Sequence, residues 1–156
     1  MADNKSILYG LAVLLIIILT IVFYPTPATG NQTTDTLSSS FNNKEEKINF
    51  LKSYINLPTE IKDTEYHLIY FSGSGIGVGP SEWDFKILVK IAPENLAKWL
   101  ENIKESTEEF DLSWAKELLP DDWQISSEPK YYLRSGELTV FEDESIIFWR
   151  LNTLGH

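Results

Sequence analysis

Residues 7–24, Ile-Leu-Tyr-Gly-Leu-Ala-Val-Leu-Leu-Ile-Ile-Ile-Leu-Thr-Ile-Val-Phe-Tyr, make up an 18-residue run without a single charge. As a helix rising about 1.5 Å per residue the run reaches ~27 Å, close to the ~30 Å hydrocarbon core of a bilayer. It is apolar on every face, and the stretch that follows is polar, so nothing adjacent in sequence would cover it inside a soluble fold. The expectation is a membrane span, with the lipid bilayer as its partner.

A cleaved secretory signal would need a positive start, an apolar region of roughly 7 to 15 residues and an Ala-x-Ala-like exit. Here Lys5 is offset by Asp3, the apolar region is longer, and the nearest exit is Thr26-Pro27-Ala28. The segment therefore reads as a retained signal anchor. Lys5 and the chain amino group precede it, while residues 24–43 hold no Lys or Arg, which places the N-terminus (1–6) in the cytoplasm and the C-terminal domain in the periplasm or outside the cell. Tyr9 and Tyr24 stand near the two ends, where amphipathic rings favour the interface.

Residues 25–43 are rich in Thr, Ser, Asn and Pro, with Asp35 as their only charge. Such a composition buries too little to offset its ordering entropy, so it is expected to be a flexible tether of roughly 25 Å r.m.s. reach. The remainder, 44–156, carries all five Trp and is long enough for one aromatic-rich core. Nearly all the acids of a chain with a formal charge of −10 lie there as well. Phosphate backbones would repel such a domain, so nucleic acid is excluded as a partner, and a basic protein fits the charge better. With no Cys, disulfides, thiolate chemistry and lipoprotein attachment are all ruled out. Two His, His67 and His156, are too few for a histidine metal centre, and no cofactor pattern is present.

In chain order, Ile48, Leu51 and Ile55 follow helical spacing over 44–55, with Asn42 and Glu45 resembling a capping box, and Pro58 prevents continuation. Residues 65–72 read as a strand apolar on both faces, and 83–91 as a half-buried strand whose Leu88 breaks the alternation. Pro93 opens a second helix with its stripe at Leu96, Trp99, Leu100 and Ile103. A short helical turn follows near 113–119, and 128–134, 136–142 and 145–151 read as strands. The last two form a hairpin, with Ile147 and Trp149 on one face and Ile146 and Phe148 on the other. Carboxylates at Glu142, Asp143 and Glu144 keep its tip exposed. The fold class is thus α+β: a single N-terminal transmembrane helix, then a small domain with a mainly antiparallel sheet of about five strands and helices packed on one face.

Gly73, Ser74, Gly75, Gly77 and Gly79 form the most unusual local composition, and glycine backbones of this kind can present N–H groups to a ligand. The spacing is neither a dinucleotide nor a phosphate-loop pattern, so these residues read as a connection between strands that is also the first place to look for binding. His67, between Tyr66 and Leu68 on an apolar strand, reads as a packed histidine with a satisfied ring nitrogen. A hydrolase would use it with Ser72 or Ser74, and no nucleophile-elbow pattern surrounds either serine. Asp121, Asp122 and Glu117 lack the ligand spacing of a calcium loop, so no metal site is expected. The leading function is a non-enzymatic, membrane-anchored extracytoplasmic binding domain. An immunity-type protein that neutralises a basic toxin and a His67 hydrolase are the alternatives.

Overall fold

The computed structural model describes residues 33–71 and 82–153, all within one unit of the chain, Asn31–His156. The expected span at 7–24 lies outside the described residues. Among the described residues no helix is long and apolar enough to cross a membrane.

Six strands form one sheet: β1 (Thr33–Leu37), β2 (Asp63–Phe71), β3 (Glu82–Lys90), β4 (Lys130–Leu133), β5 (Glu137–Phe141) and β6 (Ile146–Asn152). Their order is β1-β2-β3-β6-β5-β4 and every neighbouring pair is antiparallel. Helix α1 (Lys44–Tyr54) and the single turn α2 (Leu96–Trp99), entered through a 3-10 turn at Pro93–Asn95, pack on the same core. Asn43, one residue beyond the expected cap, closes α1 by accepting the Glu46 N–H at 2.9 Å.

The sixth strand corrects the tether. Residues 33–37 were expected to be flexible, yet they pair with β2 from Thr33↔Phe71 to Leu37↔His67. Three of the five are threonine, a β-branched residue that suits a half-exposed edge strand even where mean hydropathy is low. The chain beyond β1 is also committed: Ser38 is buried, and the Phe41 ring packs 4.9 Å from Phe50 and 6.3 Å from Tyr66. The folded domain therefore includes residues well before 44. Tyr66 N–H donates to Ser38 Oγ at 3.1 Å, which marks Tyr66, Leu68 and Tyr70 as the β2 residues turned toward β1. By alternation Thr34 and Thr36 face β2, while the backbone groups of Thr33, Asp35 and Leu37 face outward. Consistent with this, Leu37 C=O accepts from Ser40 Oγ. The opposite edge is closed, because Ser106 N–H donates to Tyr131 C=O and Glu105 bridges Tyr132.

Both faces of the sheet carry core. On the helical face Tyr66, Leu68, Ile87, Val89, Leu138, Val140, Ile147 and Trp149 meet Leu51 of α1 and Trp99 of α2, with Trp99 set edge-on to Trp149 at 5.8 Å. On the other face Leu88, Phe141, Ile146 and Phe148 lie under Ala115 and Trp123 from the long connection between α2 and β4. This second core explains why Leu88 departs from the alternation of β3. The half of that face left uncovered holds one lateral row, Leu37, His67, Lys86, Arg150, Glu137 and Leu133, one residue from each strand.

The β5–β6 tip also differs from expectation. Glu144 does not point into solvent: it accepts hydrogen bonds from the backbone N–H and hydroxyl of both Ser126 and Ser127, locking the tip to the segment ahead of β4. The Ser127 hydroxyl first, then the Ser126 groups, hold this carboxyl down to about 2.

Candidate functional site

The residues singled out from sequence divide into two sets. Gly73, Ser74, Gly75, Gly77, Gly79 and Ser72 lie outside the described residues, between Phe71 and Glu82. His67 sits on β2, where its Nε2 lies 2.7 Å from Asp35 Oδ1. The partner comes from the strand that had read as tether, so the pair links β1 to β2 across the open half of the sheet.

A pocket is built where β2 and β3 approach that Gly-rich connection. In the register Tyr70 faces Trp83, Leu68 faces Phe85, and Phe85 faces Leu151 of β6, so side chains from three neighbouring strands converge on the helical face. The C-terminal end of α1 forms the wall above them. Its termination matters: Ile55 is already extended, with its N–H bonded to Leu51 C=O, which leaves Tyr54 and Ile55 at the rim instead of inside a longer helix. The resulting concavity encloses about 490 Å³ and is lined chiefly by Tyr54, Ile55, Tyr70, Trp83, Phe85 and Leu151. Its size falls in the range of small-molecule sites.

Ring geometry fixes its shape. Tyr54 lies 6.3 Å from Tyr70 at 65° and 6.1 Å from Phe85 at 86°, so the aromatic walls stand nearly at right angles. Tyr54 is itself held in place, its hydroxyl 2.7 Å from Thr34 Oγ1 on β1. Ser53, also at the rim, donates to Phe50 C=O at 2.6 Å. Among the described residues no imidazole, carboxylate, lysine or arginine lines the pocket.

The five tryptophans show what this site keeps free. Trp99 gives its indole N–H to Thr59 Oγ1 and Trp149 gives its own to Arg134 C=O. Trp123 lies beneath the Lys90 ammonium at 5.8 Å, and Trp114, with its nitrogen buried, packs on Phe148. Trp83 is half-buried, and its indole has neither a ring contact nor a hydrogen-bond partner among the described residues.

A second concavity, about 520 Å³, opens on the other face between residues 108–111 and the β4–β5 turn. Glu108, Glu109, Asp111 and Glu137 surround Arg150 there. The Asp111 carboxyl is held below its ordinary range, chiefly by the backbone and hydroxyl of Ser113, with Arg150 adding a smaller pull. Among the described residues no three His, Asp or Glu side chains are grouped so as to hold a metal ion.

Comparison with known proteins finds no family model that the chain matches, and no match among curated proteins or solved structures. The reading of the site rests on its own geometry.

Sequence reasoning placed interest in the glycines and treated the aromatic residues beside them as core, and Tyr70 and Trp83, both half-buried, do pack on the helical-face core. What periodicity did not show is positional: the two flank the Gly-rich stretch at the ends of consecutive strands, where the register brings them face to face at the edge of a concavity.

Proposed function

We propose that this protein is a non-enzymatic binding domain, anchored in the membrane through residues 7–24 and displayed outside the cytosol, with the aromatic pocket at the β2–β3 end as its ligand site. The observation that carries the reading is the state of Trp83: a large, half-buried aromatic ring that packs on the helical-face core and also lines a concavity, its indole N–H without a hydrogen bond among the described residues. Of the five tryptophans, Trp83 is the one that lines this concavity. The chain's run of uncharged residues and the cation placed before it support the anchor and its orientation.

A panel of small apolar, aromatic and charged compounds, read by thermal shift on the full chain in non-ionic detergent, tests the pocket. A compound that raises the melting temperature of the parent and not of Trp83→Ala supports it; equal shifts for both proteins, or none from any compound, sink it. Protease added to intact spheroplasts tests the topology, which requires the domain to be trimmed without lysis.

The formal charge of −10 favours a narrower version, an immunity-type protein that captures a basic toxin, because opposite charge accelerates encounter. A pull-down from solubilised membranes then recovers a basic partner, released by raised salt. A hydrolase built on His67 would pair Ser72 or Ser74 with an imidazole whose Nε2 lies 2.7 Å from Asp35 Oδ1.

A further inference from the structure

The chemistry of the pocket wall specifies a ligand class, and the inference rests on the pocket reading above. Aromatic faces carry negative potential, and rings lining one volume can offer such faces to a cation. Here Tyr54 packs edge to face with Tyr70 and with Phe85, and the three line the pocket together with Trp83, which is paired with Tyr70 in the register and has the strongest ring quadrupole. Among the described residues no lysine or arginine lines the space. Lys52 is engaged with Glu60 at 2.6 Å, while Lys86, paired with Asp84 at 3.6 Å, and Lys90, over Trp123, belong to the opposite face of the sheet. The net charge of −10 concentrates cations around the molecule and works against anions.

Equally informative is the lack of a carboxylate among the described residues of the lining. A compact, strongly hydrated cation such as sodium or a primary ammonium would have to shed water with no oxygen anion to replace it. A cation whose charge is spread under alkyl groups sheds little, buries those groups against Ile55 and Leu151, and keeps the attraction of the rings. The volume, about 490 Å³, exceeds what a bare ion needs and suits such a bulky head. We infer that the pocket bounded by Tyr54, Tyr70, Trp83 and Phe85 binds a small, weakly hydrated organic cation of the quaternary-ammonium type, taken up as a free solute.

The test compares choline with its uncharged isostere 3,3-dimethylbutan-1-ol, titrated into the full chain in non-ionic detergent and followed by tryptophan fluorescence and ligand-observed NMR. Choline is expected to bind at least tenfold more tightly than the alcohol. Trp83→Ala is expected to lose at least tenfold in choline affinity, and Trp83→Phe, which keeps a ring at the position, to fall between the two. Far-UV circular dichroism of both variants separates loss of the site from loss of the fold. Equal affinity for choline and the alcohol overturns the cation assignment and leaves an apolar pocket intact. Binding of neither also overturns it, and the pocket reading is then decided by the wider panel. Choline binding that Trp83→Ala leaves unchanged places the cation elsewhere on the acidic surface and refutes the inference.

Discussion

Gly136→Ala tests the construction of the sheet at a position where no alternative packing is available. Gly136 closes the β4–β5 turn at φ +138°, a conformation that side-chain-bearing residues rarely adopt. Strain of that kind costs about 1–3 kcal/mol. A Cβ there would stand 2.2 Å from the Arg150 carbonyl oxygen on β6, roughly 1 Å inside any van der Waals contact, and that oxygen is backbone. The turn has to move off β6, at the expense of Arg134 N–H to Gly136 C=O at 2.9 Å and Trp149 N–H to Arg134 C=O at 3.3 Å. Each such bond is worth about 0.5–1.5 kcal/mol net. Together these place the loss at about 3–5 kcal/mol, a large share of the 5–15 kcal/mol typical of a domain. Urea unfolding of the full chain in non-ionic detergent, followed by tryptophan fluorescence, measures it; with a slope of about 1.5 kcal/mol per molar, the midpoint falls by roughly 2 M or more. Ser135→Gly, one residue earlier at φ +46°, relieves a left-handed non-glycine residue and is expected to change stability by less than about 1 kcal/mol. A Gly136→Ala midpoint within 0.5 M of the parent refutes the account of the turn.

Glu144 predicts an acid limb. Its carboxyl is depressed in the folded state, so the contribution of the Ser126–Ser127 clamp is complete above the unfolded value near 4.5 and is lost as pH falls toward about 2. Glu144→Gln is therefore expected to flatten the stability profile between pH 4.5 and 2 in urea midpoints, and an unchanged slope would show that the clamp carries no proton linkage. The edge register predicts that Thr36→Pro, which removes a donor turned toward β2, costs about 3 kcal/mol, whereas Asp35→Pro, whose N–H faces outward, costs under about 1 kcal/mol. Equal losses in unfolding midpoint would contradict the alternation assigned to β1. Trp99→Phe forfeits both a fully buried ring edge against Trp149 and the bond to Thr59, and is expected to cost about 2–3 kcal/mol. Trp114→Phe removes a buried N–H that has no partner among the described residues, and is expected to cost under about 1 kcal/mol by the same melts.

Sequence patterning exposed the parts of the fold that bury a repeating face. The alternation of Trp83, Phe85, Ile87 and Val89, the helical spacing of Ile48 and Leu51, and the two-faced run at Ile146–Trp149 all appear as strands or helix at nearly the expected bounds. Periodicity was silent where a segment is held by its neighbours. Thr33–Leu37 buries little of its own side chains and is ordered by the ladder to β2, a partner some thirty residues away in sequence. Leu88 looked like a flaw in β3 because its cover comes from Ala115 and Trp123, in a connection with no periodic pattern of its own. Glu144 looked like a solvated tip because the serines that bind it lie on another loop. Each miss is a non-local contact that no window of sequence contains.

The same distinction bears on the pocket. In a sheet with core on both faces, an aromatic residue at a strand end is usually consumed by whichever layer lies over it, and all five tryptophans here pack on one core or the other, Trp83 only in part. Helix α1 stops at Tyr54, which touches Tyr70, and the third layer lies on the opposite face, so the end of the sheet where Tyr70 and Trp83 stand opposite each other is only partly covered. Stability alone would favour an aliphatic or polar residue at such a rim, since a half-buried indole leaves part of its apolar surface in water. A Trp kept there, with Tyr54 braced by Thr34 from the edge strand, is better explained by something that binds than by something that folds. That reasoning makes a demand on β1: a change that loosens the edge strand, such as Thr34→Val, removes the brace on the Tyr54 hydroxyl and should weaken choline binding while Trp83 itself is untouched.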